Sequence, residues 1–282
     1  MYLLLLILFI FFLTTFLVKA YNNTKNVMIR RININNNAST NQSLLTILHL
    51  SDLHLENISI SAEQLYQKLS NEKIDLIALT GDFLDRKRTI PKLIPYLQVL
   101  DKLNPTYGIY AVLGNHDYVL KGKDLQTLVN TLTTYNCHVL QNNHETIYVD
   151  KHPVNIIGVD DFSTNRSDLT QSFSNLHHGT NLVLTHDPNI VLEMKQFDFD
   201  YLLAGHFHGG QICYPKAYHL AKMGKLVKMN MIKGLHTHDG RRFYISEGMG
   251  QTGVNIRIGS LPEITLHQFA LQNEKAHTHS VS

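Results

Sequence analysis

The stretch Thr46-Ile47-Leu48-His49-Leu50-Ser51-Asp52-Leu53-His54 opens as a short apolar run of strand character and closes in a polar turn carrying Asp52 and His54. That join recurs. Gly81-Asp82 follows the run at 75–79, Gly114-Asn115-His116-Asp117 the run at 109–113, Thr185-His186 the run at 182–184, and Gly205-His206-Phe207-His208 the run at 201–204. A further run lies at 154–159. Segments of helical period separate several of them: 62–69, with Leu65 and Leu69 on one face; 92–103; and 124–135, with Leu125, Leu128, Val129 and Leu132 in register. The alternation predicts an α/β fold with helices on the sheet faces, in which loops beyond the strand C-termini meet at one edge. Beyond 204, the runs at 211–214, 242–246 and 264–269 have few helical signals between them, which predicts a mixed or antiparallel second sheet.

The composition supports a full-sized core and narrows the partners. Of 282 residues, 44% are apolar and 17% charged, which excludes a wholly disordered chain. Twenty-five Lys plus Arg against 23 Asp plus Glu leaves +2, too balanced for stable attachment to nucleic-acid phosphates. Two cysteines, Cys137 and Cys213, are too few for a disulfide scaffold or a thiolate zinc site, so any metal is held by nitrogen and oxygen.

The N-terminus is apolar and uncharged through residue 18, just within the length that spans a bilayer. Positive charge follows the run, at Lys19, Lys25, Arg30 and Arg31, an order that favours an uncleaved anchor with the domain on the cytoplasmic side. The competing reading is a secretory signal cleaved after Ala20, since Val18 and Ala20 roughly satisfy the small-residue rule. Residues 1–20 are thus anchor or signal. Residues 21–43, with eight Asn and few large apolar side chains, read as a linker; 44–270 as the folded domain; and 271–282 as a flexible tail.

Asp52, His54, Asp82, Asn115, His186, His206 and His208 together offer two carboxylates, one amide oxygen and four imidazoles. Two divalent cations roughly 3.5–4 Å apart need ligands around each and a carboxylate to bridge them. The donor chemistry suits Mn, Fe, Zn or Co better than Ca. In extended backbone the Asp52/His54 and His206/His208 pairs would each point to one side and clamp one ion.

In order along the chain, Asp52-x-His54, Gly81-Asp82, Gly114-Asn115-His116-Asp117, Thr185-His186 and Gly205-His206-x-His208 resemble the motifs of the calcineurin-like metallophosphoesterase superfamily. The segments 205–211, 247–250 and 259–266 are similar to its membrane-anchored bacterial branch, which includes phosphodiesterase-like proteins and hydrolases of UDP-2,3-diacylglucosamine. The resemblance implies a sandwich of two mixed β-sheets flanked by helices. It implies two divalent metal ions, Mn2+ foremost: Asp52, His54 and His208 would hold one, Asn115, His186 and His206 the other, and Asp82 would bridge. His116 would face the substrate as hydrogen-bond or proton donor. The implied reaction is hydrolysis of a phosphodiester or pyrophosphate in a membrane lipid or lipid-linked nucleotide, with UDP-2,3-diacylglucosamine the specific expectation. A phosphodiesterase for soluble esters and a catalytically silent scaffold are the alternatives.

Other residues read as structural. Asp117 fits a supporting role behind the ligands or a helix cap. Asp85, Asp160 and Asp161 read as turn or cap residues, His49 as a core imidazole, Glu247 as a hydrogen-bonding loop residue, and His144, His177 and His178 as surface side chains. Phe207 stands where the branch often has Thr, its side chain expected to point away from the metals. The segment 217–235 interleaves four lysines with Leu220, Met223, Leu226, Val227, Met229, Met231 and Ile232, which fits either an interfacial segment on an anionic bilayer or an ordinary amphipathic surface element.

Overall fold

The computed structural model describes residues 1–34 and 43–271. Its strands in chain order are β1 (Met28–Ile34), β2 (Leu44–Leu50), β3 (Leu76–Thr80), β4 (Ile109–Val112), β5 (Cys137–Val139), β6 (Asn143–Val149), β7 (His152–Gly158), β8 (Thr180–Leu184), β9 (Tyr201–Ala204), β10 (Gly234–His238), β11 (Arg241–Ile245) and β12 (Glu263–Ala270). They form two six-stranded sheets, ordered β1-β12-β2-β3-β4-β5 and β10-β11-β9-β8-β7-β6. Strands β2 to β5 are parallel, as are β7, β8, β9 and β11, and both sheets are mixed because β12 runs against β2 while β6 and β10 run against their neighbours. The fold is thus the expected α/β sandwich of two mixed sheets flanked by helices.

The central strands are apolar on both faces because both faces are covered. Leu48, Leu50, Ile77, Leu79, Ile109 and Ala111 pack outward under the helices. Their alternates Leu45, Ile47, Leu76, Ala78, Tyr110 and Val112 turn inward and meet Val154, Ile156, Leu182, Leu184, Tyr201 and Leu203 of the second sheet. A third core lies on the outer face of the second sheet, where Ile157, Val183, Leu202 and Phe243 meet short helical turns.

The long helices are α1 (Tyr2–Asn23), α2 (Ala62–Leu69), α3 (Ile90–Lys102) and α4 (Lys123–Thr134). Helix α2 starts at a capping box: Gln64 N donates to Ser61 Oγ at 3.2 Å, and Ser61 N donates to Gln64 Oε1 at 2.9 Å. Leu65 and Leu69 are its buried face. In α1, Ala20 alone is buried, and by length and composition the helix can cross a membrane.

Three expectations are corrected. The linker reading of 21–43 fails over 21–34, because α1 continues to Asn23 and β1 follows. Strand β1 pairs in parallel with β12, and Arg30 donates to Glu263 and Glu247 at 2.6 and 2.7 Å. Its order comes from main-chain pairing and ion pairs together with the burial of Ile34 and the packing of Ile29 and Ile32, three apolar residues spaced among polar ones, so composition hid it. The rest of that linker and the tail beyond Leu271 lie outside the described residues. The run at 211–214 is not a strand; Ile212 makes a single bridge to Ile258. In segment 217–235, Leu220, Leu226 and Ile232 are buried in the third core with Met223, Val227 and Met231 packed against it, so most of its apolar side chains face protein rather than a bilayer.

Candidate metal centre

Because β2, β3, β4, β8 and β9 point the same way, the loops after them converge on one edge of the sandwich. The side chains brought together there are those of the sequence motifs. Asp82 Oδ2 lies 3.4 Å from His54 Nε2 and 3.1 Å from His186 Nε2; Asp52 Oδ1 lies 3.3 Å from His208 Nε2; His206 Nδ1 lies 3.2 Å from His186 Nε2. Asp52, His54 and His208 form one group able to hold an ion, Asp82, His186 and His206 another, and His54, Asp82 and His116 a third that links them.

The residues fit a cation pair on an independent observation. Asn115 Oδ1 is buried without a hydrogen-bond partner beside the cleft it shares with Asp82, His206 and His208, and His54 Nε2, also without one, faces Asp82 Oδ2 at 3.4 Å. Three of the rings already engage their other nitrogen. His186 Nδ1 lies 2.7 Å from the carbonyl of Thr80, His208 Nδ1 3.3 Å from that of Gly250, and His54 Nδ1 3.1 Å from Asp85 Oδ1, contacts that leave each Nε2 free to bind.

The electrostatics point the same way. Burial pushes the Asp52 and Asp82 carboxyls up, yet the surrounding imidazoles outweigh it and hold both below the usual range, Asp82 well below. Burial also works against charge on His54 and His186, but Asp82 in particular overrides it, lifting His54 to about 10 and His186 well above its ordinary value. His206 and His208 are lowered by burial, His208 to about 3. The pocket therefore demands positive charge at its centre, supplied either by protons or by cations.

One geometric expectation is overturned. The ligand pairs are not in extended backbone: Asp52, His54, Asp82, His206 and His208 all have positive φ, at 51°, 36°, 55°, 77° and 51°. Each such residue costs roughly 1–2 kcal/mol relative to ordinary backbone, strain typical of functional sites. Tight glycines accompany it. A Cβ on Gly205 would run into Ser51 Oγ and Asp52 Oδ2, and one on Gly114 into Asp82 Oδ1.

Asp117 has a definite place behind the centre. Its carboxylate accepts from the backbone N–H groups of Asp82 and Gly114 at 2.8 and 2.9 Å and of Phe83 and Leu84 at 2.9 and 3.3 Å, clamping two ligand loops together. His116 reaches a cleft of about 330 Å3 that is also lined by Asp82, Asn115, His206 and His208. Phe207 is fully buried against the third core, so the residue standing in place of Thr packs as structure.

Two residues escaped the sequence reading. Asp85 is no mere turn residue: its Oδ1 sits 2.9 Å from His116 Nδ1 and 3.1 Å from His54 Nδ1. Hydrogen bonds from those rings hold its carboxyl well below the usual range, and in return burial, which works against charge on His116, is outweighed by Asp85 and Asp82 together, which raise it. Asp161 keeps a turn role, accepting from Ser163 and Thr164, whereas Asp160 is corrected to a buried long-range acceptor, bound by the hydroxyl of Tyr118 at 2.6 Å.

The second is Arg257. Fully buried, its guanidinium donates to the carbonyls of His208 and Glu247 at 3.0 and 2.7 Å and of Gly248 and Gly250 at 3.1 and 2.7 Å. The charge flanked by Ile256 and Ile258 was the sequence signal. With the guanidinium gone, four carbonyls lose their donor and the His208 loop loosens. Arg257→Met is expected to weaken Mn2+ binding by about 10–100-fold, the scale for residues that orient metal ligands. Calorimetric titration of the purified protein checks this; unchanged affinity for both ions would remove Arg257 from the site's support.

This arrangement, a sandwich with Asp, Asn and His side chains converging from five loops, is that of a metal-dependent phosphoesterase. The chain belongs to the calcineurin-like phosphoesterase family, whose model matches residues 45–210. It is 60% identical over 269 residues to YkoQ of Bacillus subtilis (strain 168), an uncharacterized metallophosphoesterase, covering 95% of this chain and 100% of that protein. It is 27% identical over 273 residues to the UDP-2,3-diacylglucosamine pyrophosphatase LpxG of Chlamydia muridarum, covering 79% of this chain and 82% of that one. One solved structure, matched over 80% of this chain and 100% of its own, has a TM-score of 0.50 at 11% identity and speaks to the fold alone.

Proposed function

We propose that the protein is a membrane-anchored, dinuclear phosphoesterase that hydrolyses a phosphodiester or pyrophosphate bond in a lipid-linked substrate. Asp52, His54 and His208 hold one cation, Asn115, His186 and His206 the other, and Asp82 serves both; Mn2+ is the first choice, ahead of Fe, Zn or Co. The observation that carries this reading is the position of Asp82 Oδ2 between His54 and His186, 3.4 and 3.1 Å away, which is where a shared carboxylate belongs. A cation pair at such a site neutralises phosphoryl charge and lowers the pKa of water for attack on phosphorus.

The chain's own groups do the rest. His116, oriented through Nδ1 by Asp85, presents its other nitrogen to the cleft and donates a proton or hydrogen bond to the leaving oxygen. Asp117 fixes the backbone from which Asp82 and Asn115 project. The 22-residue helix α1 serves as the anchor, with the domain on the cytoplasmic side.

UDP-2,3-diacylglucosamine is the substrate to test first, because LpxG is named for it and the two chains align over most of their length. Water would cleave the pyrophosphate to UMP and 2,3-diacylglucosamine 1-phosphate. Full-length protein with Mn2+ in detergent micelles is expected to release both, identified by mass spectrometry. No turnover of this lipid, with an aryl phosphodiester cleaved by the same sample, would discard the substrate and keep the hydrolase.

A further inference from the structure

The apolar helix and the metal loops share one edge of the sandwich. Strand β12 runs antiparallel to β2, and β1 runs parallel to β12, so β1 begins beside the end at which β2, β3 and β4 deliver their loops. Helix α1 enters there. Its last turn is docked on the domain: Arg257 N donates to the carbonyl of Ala20 at 2.9 Å, Asn23 Nδ2 donates to the carbonyl of Arg257 at 2.9 Å, and Thr24, fully buried, shares a 2.8 Å hydrogen bond with Ser59.

The residues next to this junction form the mouth of the cleft. Thr252, Gly253 and Val254 line it, and Val254, three residues before Arg257, lies at most about 11 Å from it along the chain. Cys213 N donates to the carbonyl of Ile258 at 2.6 Å, which sets Tyr214 beside the same segment. Tyr214, Tyr218 and Val254 are 79%, 68% and 62% exposed, large apolar side chains left in water. Tyr21, in the last turn of α1, is 43% exposed with Lys25 Nζ over its ring. Lys216 is also exposed.

We infer that this rim docks on the bilayer surface, so that the catalytic cleft opens at the lipid headgroups. The inference rests on α1 being the anchor proposed above. Twenty-two helical residues span about 33 Å at 1.5 Å each, against a hydrocarbon core of roughly 30 Å. The last turn therefore lies at the headgroup level, and the docked junction leaves Tyr214, Tyr218 and Val254 within the same layer. Tyrosine is the side chain suited to that layer, its ring in the acyl boundary and its hydroxyl in water, and Lys19, Lys25 and Lys216 complement anionic lipid. The apolar wall of the cleft, from Ile212, Leu220, Met223 and Val254, continues inward from this rim and suits the acyl end of a lipid more than a free nucleotide.

The chain contains no Trp, so one introduced Trp is a unique fluorophore. Full-length Tyr214→Trp, Phe9→Trp and Tyr148→Trp proteins would be reconstituted into phosphatidylcholine–phosphatidylglycerol vesicles containing lipids brominated at shallow or deep acyl positions. Tyr148 pairs with Pro153 at the start of β7, the end of the sheet away from the site, and is the control. The Tyr214→Trp protein is expected to be quenched several-fold more strongly than Tyr148→Trp, by shallow bromines above all, while Phe9→Trp is quenched by deep ones. Phe9→Trp quenched with Tyr214→Trp no better than Tyr148→Trp would overturn the docking and leave the anchor. Phe9→Trp unquenched would overturn both. A blue-shifted Tyr214→Trp emission without quenching would mean that protein covers the rim, and would also overturn the docking.

Discussion

Asp82→Ala is expected to leave the purified protein with less than one metal ion per chain instead of about two, and to reduce turnover to background. The side chain is buried between two imidazoles, and its second oxygen accepts from the backbone N–H of His116 at 2.8 Å. Its removal deletes the shared negative charge and frees the loop that carries Asn115 and His116. The imidazoles of His54 and His186, raised by Asp82, would lose the partner that makes positive charge favourable there. Elemental analysis after exhaustive dialysis, alongside hydrolysis of an aryl phosphodiester, reads both effects. Asp82→Asn separates charge from shape: it keeps an acceptor for His116 N and should still lose metal. A variant that retained two ions at full occupancy would refute the shared carboxylate.

His116→Ala is expected to behave differently, keeping its metal while turnover falls by about 10²–10⁴, the usual worth of a positioned acid. The ring is one-third exposed and reaches the cleft, whereas the ligand rings of His54 and His186 are buried, so its loss need not disturb them. The size of the loss should depend on the leaving group. A nitrophenolate departs without a proton, so its diester should suffer least; an alkoxide or sugar leaving group needs one and should suffer most. Equal losses for both would reduce His116 to charge stabilisation, and loss of metal would make it a ligand. Asp85→Asn should reproduce the same leaving-group trend at smaller amplitude, because it removes the charge that helps to raise His116 and leaves the donor in place.

The parts of the fold legible in sequence were those whose side chains carry the order. Strands β2, β3, β4, β8 and β9 have apolar residues on both faces and announce themselves as runs. The edge strands β1, β6 and β10 do not, since each is half exposed and held largely by main-chain pairing. The site divides in the same way. Asp52, His54, Asp82, Asn115, His186, His206 and His208 sit in short motifs at strand ends, where type and position coincide. Asp85 differs from an ordinary turn aspartate only through contacts with His54 and His116, 31 residues to either side, and one sequence position cannot express such a contact. The left-handed backbone at five of these residues was equally hidden, because it goes with close approaches between distant segments, such as that of Gly114 to Asp82 and of Gly205 to Asp52.

Among the described residues the last strand lies between the first two: β12 separates β1 from β2 in the sheet. A ribosome delivers β1 and β2 long before β12. Until it emerges, β1 has no partner, Arg30 has no Glu263 to meet, and β2 presents a bare edge. Assembly of this sheet must therefore wait for β12. A chain cut short before residue 263 would leave both early strands open to pairing with one another's copies.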